Sequence, residues 1–197
     1  TYRYFDGCTK LRSWICMPLI AGLQNRSEGT VRALLGKELM TENGLLTEQG
    51  SSTFWDRSTL YALRGIYIAG QADRATEFLS HYARRRLLGD HVPYPIEAWP
   101  EGSQRHLAAE SGLFCRVITE GLFGIRPTGF RSFDLTPSMP SGWNRMALRH
   151  IRAFENNFDL VIEKQPDGFL RVTLAISGRN PRAFRLRQGA SLRIKLP

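Results

Sequence analysis

Apolar residues recur every three or four positions through the first two-thirds of the chain and every second position through the last third, so helices are predicted first and strands afterwards. "SWICMPLIAGL" and "SEGTVRALLGKELM" have the helical spacing, with Ser27 as N-cap of the second, and together predict a helical hairpin. A loop is expected from about 41 to 58, where Asn43-Gly44 is a turn signal. A second hairpin follows, "STLYALRGIYIAG" closing at Gly70 and "QADRATEFLSHYARRRLL" closing at Gly89, each with the glycine that favours a helix C-terminus. The third long element, "SQRHLAAESGLFCRVITEGLFG", sets Leu107, Phe114, Val117, Ile118 and Leu122 on one stripe. "IRPTGF" then breaks the helix, and irregular chain is expected to about 145. From Met146 the stretches "MALRHIRAF", "FDLVIEK", "FLRVTLAIS" and "SLRIKL" alternate between turn signals, which predicts antiparallel strands.

This pattern divides the chain into a helical part, 1–145, and a β segment, 146–197. Helix pairs whose connections lengthen at the same end suggest a toroid of hairpins with its long loops around one rim. The loops 41–58 and 89–104 would then bring "STFWDRST" close to "PIEAWPEG".

Composition adds limits. At 197 residues and 42% hydrophobic, the chain can bury a core of ordinary size. The longest apolar run, "ICMPLIAGL", is interrupted by Pro18 and is too short to span a bilayer, so no membrane partner is expected. Cys8, Cys16 and Cys115 form no CxxC pair, and His81, His91, His106 and His150 form no HxxxH, so neither a metal site nor any cofactor is expected. A net charge of +9 raises nucleic acid as a partner, but residues 148–197 hold +6 of it in alternating strands. A solvated basic face accounts for that, and nucleic acid is not expected. Three unpaired cysteines suit a reducing interior without excluding a periplasm, so the compartment stays open. The opening "TYRYFDG" lacks a starting Met and a signal-type stretch, which suggests a piece of a longer chain with more of it upstream.

Candidate chemistry sits in two loops. In "HVPYPIEAWPEGSQRHLAAESGLF", residues 91–114, Pro93, Pro95 and Pro100 exclude a helix interior or a central strand, so Glu97, Trp99 and Glu101 ride on a stiff loop. A capping, solvated turn and a functional loop both stay open for it. Trp55, Asp56 and Arg57 set an aromatic plate beside a carboxylate and a guanidinium, the groups a sugar pocket uses for stacking and for hydrogen bonds to hydroxyls. A capped helix start with Trp55 in the core explains the same triplet. Glu101 can cap the helix beginning near Ser103, whereas Glu97 has less structural reason to be there. Glu110 and Glu120 stand four residues after His106 and Arg116, and paired rim groups explain them. GxSxG, GxGxxG and P-loop patterns are missing, which leaves acyl transfer, dinucleotide binding and P-loop phosphoryl transfer unsupported.

Over roughly residues 2–165 the order "YFDG", "NGLLT", "FWDRSTLYALRG", "PYPIEAWPEG" and "RHLAAESGLFCRVITEGLFGIRPT" resembles the C-terminal part of the catalytic domain in (α/α)6-barrel glycosidases, such as glucoamylases, α-L-rhamnosidases, processing α-glucosidases and cellobiose phosphorylases. The resemblance implies a mainly α fold: helical hairpins of a partial (α/α)6 toroid, followed by a short antiparallel β segment. It implies a carbohydrate-active enzyme that hydrolyses glycosidic bonds, by inversion, on an oligosaccharide or glycoside. Glu97 would be the general base that activates water, and Trp55, Asp56, Arg57, Trp99, Glu101 and Arg105 would line the sugar pocket. No residue matches the family's general acid, and Asp6 is not assigned that role. A carboxylate at 97 favours hydrolysis over phosphorolysis without deciding it. A non-catalytic carbohydrate-binding or interaction protein on the same scaffold is the alternative.

Overall fold

The computed structural model describes residues 1–88, 94–97 and 108–197, and the chain forms two compact units, Thr1–Gly121 and Leu122–Pro197. Of the described residues, 32% are helical and 29% are in strands, which is not a mainly α protein. Among the described residues there are five α-helices and three antiparallel sheets, far short of the repeated hairpins an (α/α)6 barrel requires. The mainly α fold of a partial (α/α)6 toroid expected from the sequence is therefore incorrect, and so is the family resemblance that carried it.

The first unit is built on α3 (Asp56–Ile68), which packs against α1 (Met17–Ile20), α4 (Ala72–Arg86) and α5 (Ala108–Arg116). Ten of its thirteen residues are buried, because neighbours cover it on several sides. The stretch "SWICMPLIAGL" forms only a 3-10 turn, Ser13–Cys16, and the four-residue α1. Pro18 has no N–H to donate and is tolerated only in the first turn of a helix, which prevents one continuous helix there. Helix α2 (Ser27–Leu34) stops short of Gly36, and the chain turns into β1 (Met40–Thr41) and β2 (Gly44–Leu45) around Asn43. One close approach depends on glycine. A Cβ on Gly65 would lie 3.0 Å from Leu19 Cβ and 3.4 Å from the Cys16 carbonyl oxygen, so α1 can seat on α3 only with hydrogen at that position.

Helix α5 passes into a π-helical turn, Val117–Leu122. The wider turn brings Val117 and Gly121 onto the buried side, with the Gly121 Cα position close against Tyr67.

The second unit consists of strands. Where irregular chain was expected, β3 (Ile125–Gly129) and β4 (Ser132–Leu135) pair, and β9 (Leu192–Lys195) completes a sheet of order β3-β4-β9. Pro127 is accommodated because β3 is an edge strand and need not donate outward. A second sheet runs in order β5-β6-β7-β8, from Arg145–Ala153, Asn156–Lys164, Phe169–Ile176 and Arg182–Arg187. Its inner face carries Leu160, Ile162, Leu170, Val172 and Leu174, all fully buried. Phe133 on β4 stacks on Phe158 of β6 at 5.9 Å and on Phe154 at 5.2 Å, which joins the two sheets.

Candidate functional site

The chain enters α3 through Trp55, whose extended backbone (φ −118°, ψ 124°) ends the loop and places Asp56 and Arg57 in the first helical turn. Adjacent residues on a helix point apart, and these two take different partners. Asp56 turns inward and is 1% exposed. Its carboxylate accepts hydrogen bonds from Arg86 Nε at 3.3 Å and Nη2 at 3.2 Å, and from the backbone N–H of Ile96 at 2.8 Å. It thereby ties the end of α4 and the segment 94–97 to the start of α3.

Arg57 points the other way and is shared by two glutamates. Its Nη1 lies 2.9 Å from Glu97 Oε1, and its Nε donates to Glu110 Oε1 at 2.6 Å. The Glu110 side chain is fully buried, whereas that of Glu97 is 43% exposed. Burial works against the Arg57 charge, but the hydrogen bond to Glu110 and the charges of Glu110 and Glu97 outweigh it and hold the guanidinium above its ordinary pKa. Glu110 Oε2 is buried with no hydrogen-bond partner among the described residues, so this carboxylate depends on Arg57 for its compensation.

Tyr61 and Arg64 continue the Arg57 face of α3, at four and seven residues further. Arg64 Nη1 donates to Glu120 Oε2 at 2.9 Å, and Arg116 Nη2 reaches the same oxygen at 3.0 Å. Burial, opposed by Glu120 and reinforced by the Arg116 charge, lowers the Arg64 pKa from its ordinary value. Three aromatic rings accompany these charges. Trp14 meets Trp55 edge-on at 5.6 Å and Tyr61 at 5.8 Å, and Arg64 lies over the Tyr61 ring at 5.4 Å. Trp14 also lines an open cleft of about 360 Å³ with Arg3, Tyr4, Ile15, Met17 and Pro18.

The loops around Trp55 and Glu97 thus meet, through Asp56 to Ile96 and through Arg57 to Glu97. Trp99, Glu101 and Arg105 lie outside the described residues. The sequence reading missed the role of Glu110: it was matched with His106 four residues earlier, but its partner among the described residues is Arg57, 53 positions away. Trp14 and Tyr61 were also missed, and the four-residue spacing of Arg57 and Tyr61 was the available signal. Among the described residues no group of three or more His, Cys, Asp and Glu side chains is placed to hold a metal ion. Cys8, Cys16 and Cys115 are free thiols, and no described helix is long and apolar enough to cross a membrane. Comparisons with protein-family models, with curated proteins and with solved structures find no match.

Proposed function

We propose that the first unit carries the site of a carbohydrate-active protein that hydrolyses glycosidic bonds, with Glu97 as the base that takes a proton from water. One observation supports this reading above the others: a half-exposed carboxylate is fixed by Arg57, which a buried glutamate anchors in turn, beside partly exposed rings of Trp14, Trp55 and Tyr61. Sugars bind through this combination, their C–H faces stacking on rings while their hydroxyls bond to charged groups. In this reading Trp55 and Tyr61 provide the stacking surface, Arg57 orients Glu97, and Asp56 fixes the backbone beneath it. Inversion would require water between Glu97 and the anomeric carbon, with a separate carboxylic acid at about 6.5–9.5 Å protonating the leaving group.

A second reading, a carbohydrate-binding protein without turnover, is favoured by one detail. The other carboxylate on Arg57, Glu110, is fully buried and so is not open to a substrate.

The two readings separate in one experiment. Wild type and Glu97→Gln are assayed on a panel of aryl glycosides and oligosaccharides, with affinity measured by calorimetry. The enzymatic reading expects turnover to fall by roughly two to four orders of magnitude while binding is retained. Binding without turnover in the wild type supports the second reading. Near-normal turnover by Glu97→Gln removes Glu97 from the mechanism.

A further inference from the structure

Residues 122–197 carry thirteen Lys and Arg against five Asp and Glu, so the strand unit holds +8 of the chain's +9. Each of its five carboxylates already faces an arginine: Asp134 with Arg193, Glu155 with Arg131, Asp159 with Arg149, Glu163 with Arg145 and Asp167 with Arg185. The excess is therefore positive charge that no carboxylate of the unit is left to neutralise.

Part of that excess is ordered by the sheet. Along β7 the buried Leu170, Val172 and Leu174 alternate with the outward Phe169, Arg171 and Thr173. Strand register sets Arg145 opposite Glu163, Glu163 opposite Arg171, and Arg171 opposite Arg185, so one row across all four strands reads Arg, Glu, Arg, Arg. Phe169 opposite Arg187 begins the next row. Arg171 and Arg187 form no ion pair among the described residues, while Arg145 is held only loosely, at 3.5 Å from Glu163.

Two features of this row call for an explanation. Like charges directly opposite one another destabilise a strand pair, and Arg171 opposite Arg185 is such a pair. Arginines on an edge strand guard it against pairing with another chain, which accounts for Arg185 and Arg187 on β8. That explanation does not reach Arg171, because β7 lies between β6 and β8.

We propose that the outer face of the β5-β8 sheet binds an anionic polysaccharide, a uronate-type chain of which alternate carboxylates are taken by Arg187, Arg171 and Arg145. Neighbouring strands stand about 4.8 Å apart. Arg145 and Arg171 lie two strands apart with Glu163 between them, and Arg187 lies one strand over from Arg171 and two residues along. They present guanidinium forks at steps of about 8–10 Å, comparable to the advance of two sugars. A guanidinium matches a carboxylate with two parallel hydrogen bonds. Nucleic acid fits this face less well. Single strands bind through open aromatic rings, and the Phe169 ring is covered by the Arg185 guanidinium at 3.6 Å from its centroid. The binding face needs none of the residues around Glu97, so it stands or falls separately from the glycosidic reading.

Affinity electrophoresis of the whole chain tests it, in gels containing polygalacturonate, fully methyl-esterified polygalacturonate, or a single-stranded oligonucleotide. Three proteins are compared: wild type, the double variant Arg171→Gln/Arg187→Gln, and a control, Lys37→Gln/Arg84→Gln, which removes the same charge at exposed positions of the first unit. Polygalacturonate retards wild type and control equally, its methyl ester retards neither, and the Arg171/Arg187 variant binds roughly tenfold more weakly, as expected when charge-assisted hydrogen bonds are lost. Equal weakening of both variants, retardation by the neutral ester, or absence of binding at low salt overturns the proposal. Oligonucleotide binding as tight as polygalacturonate binding also overturns it, by assigning the face to nucleic acid.

Discussion

Arg57 donates its Nε to Glu110 at 2.6 Å, joining the first turn of α3 to a carboxylate with no exposed surface. Removing the arginine leaves a buried charge without compensation, whereas neutralising the glutamate leaves a neutral amide. Arg57→Met is expected to lower stability by about 2–3 kcal/mol, below the value for a wholly buried pair because Arg57 is 33% exposed. Glu110→Gln should cost clearly less. Urea unfolding of the two variants checks the order, and equal losses would contradict it.

Asp56 serves three donors from a position without solvent. Asp56→Ala takes the carboxylate away from the buried Arg86 guanidinium and the Ile96 N–H together, with an expected loss of about 3–5 kcal/mol. Asp56→Asn retains an acceptor for Ile96 and should fall between this variant and wild type. Hydrogen exchange at the Ile96 amide provides the local measurement: faster in Asp56→Ala, and nearly unchanged in Asp56→Asn.

Gly65→Ala separates close packing from helix propensity. Alanine is the better helix former, but its methyl group would meet Leu19 Cβ at 3.0 Å. A net loss of about 1–3 kcal/mol is expected because overpacking dominates, and a melting temperature above that of wild type would show that α1 yields freely.

Alkaline pH should weaken the first unit through groups that must stay protonated when buried. Burial pushes the Cys16 thiol from 9.0 up to about 12. It also raises the Tyr67 phenol, and raises Tyr82 well above its ordinary range with help from the Asp56 charge. All three pKa values are higher in the folded chain, so the unfolded chain gives up these protons first. Stability from Cys16 is therefore whole below about pH 9 and is lost as pH rises toward 12. Denaturation midpoints from pH 7 to 12 follow this loss. At pH 8, iodoacetamide should modify the exposed Cys115 long before the buried Cys16.

The parts of this fold that the chain announces are those fixed by neighbours in sequence. The alternation through Phe169–Ile176 places Leu170, Val172, Leu174 and Ile176 on one face whatever the partner strand, and the apolar stripe of α3 is equally local. Contacts between distant segments are not announced in this way. "IRPTGF" contains a proline and reads as a breaker, because only the pairing of β3 with β4 and of β4 with β9 reveals that Pro127 stands on an edge. "SWICMPLIAGL" has a helical stripe, but the stripe does not show that Pro18 divides it. At the site, Trp55, Asp56, Arg57 and Glu97 were visible as residue types with suitable chemistry. Their division of labour was not, since Asp56 is taken by Arg86 and Ile96 while Arg57 is taken by Glu97 and Glu110. The toroid failed for the same reason: helical spacing counts helices without saying how many of them close a ring.

The π turn after α5 makes chain length itself a constraint. A π turn takes more residues to go round than an α turn, so Val117–Leu122 holds residues that a regular helix would not need. Deleting one of them would let the helix run on in the α form and rotate one side against the other by about 100°. Glu120 would swing away from Arg64, and Gly121 would leave the Tyr67 ring, although every other residue kept its identity. Replacing side chains one at a time would never expose this dependence. It belongs to the count of residues between Arg116 and Gly121, and a scan of single-residue deletions is what would reveal it.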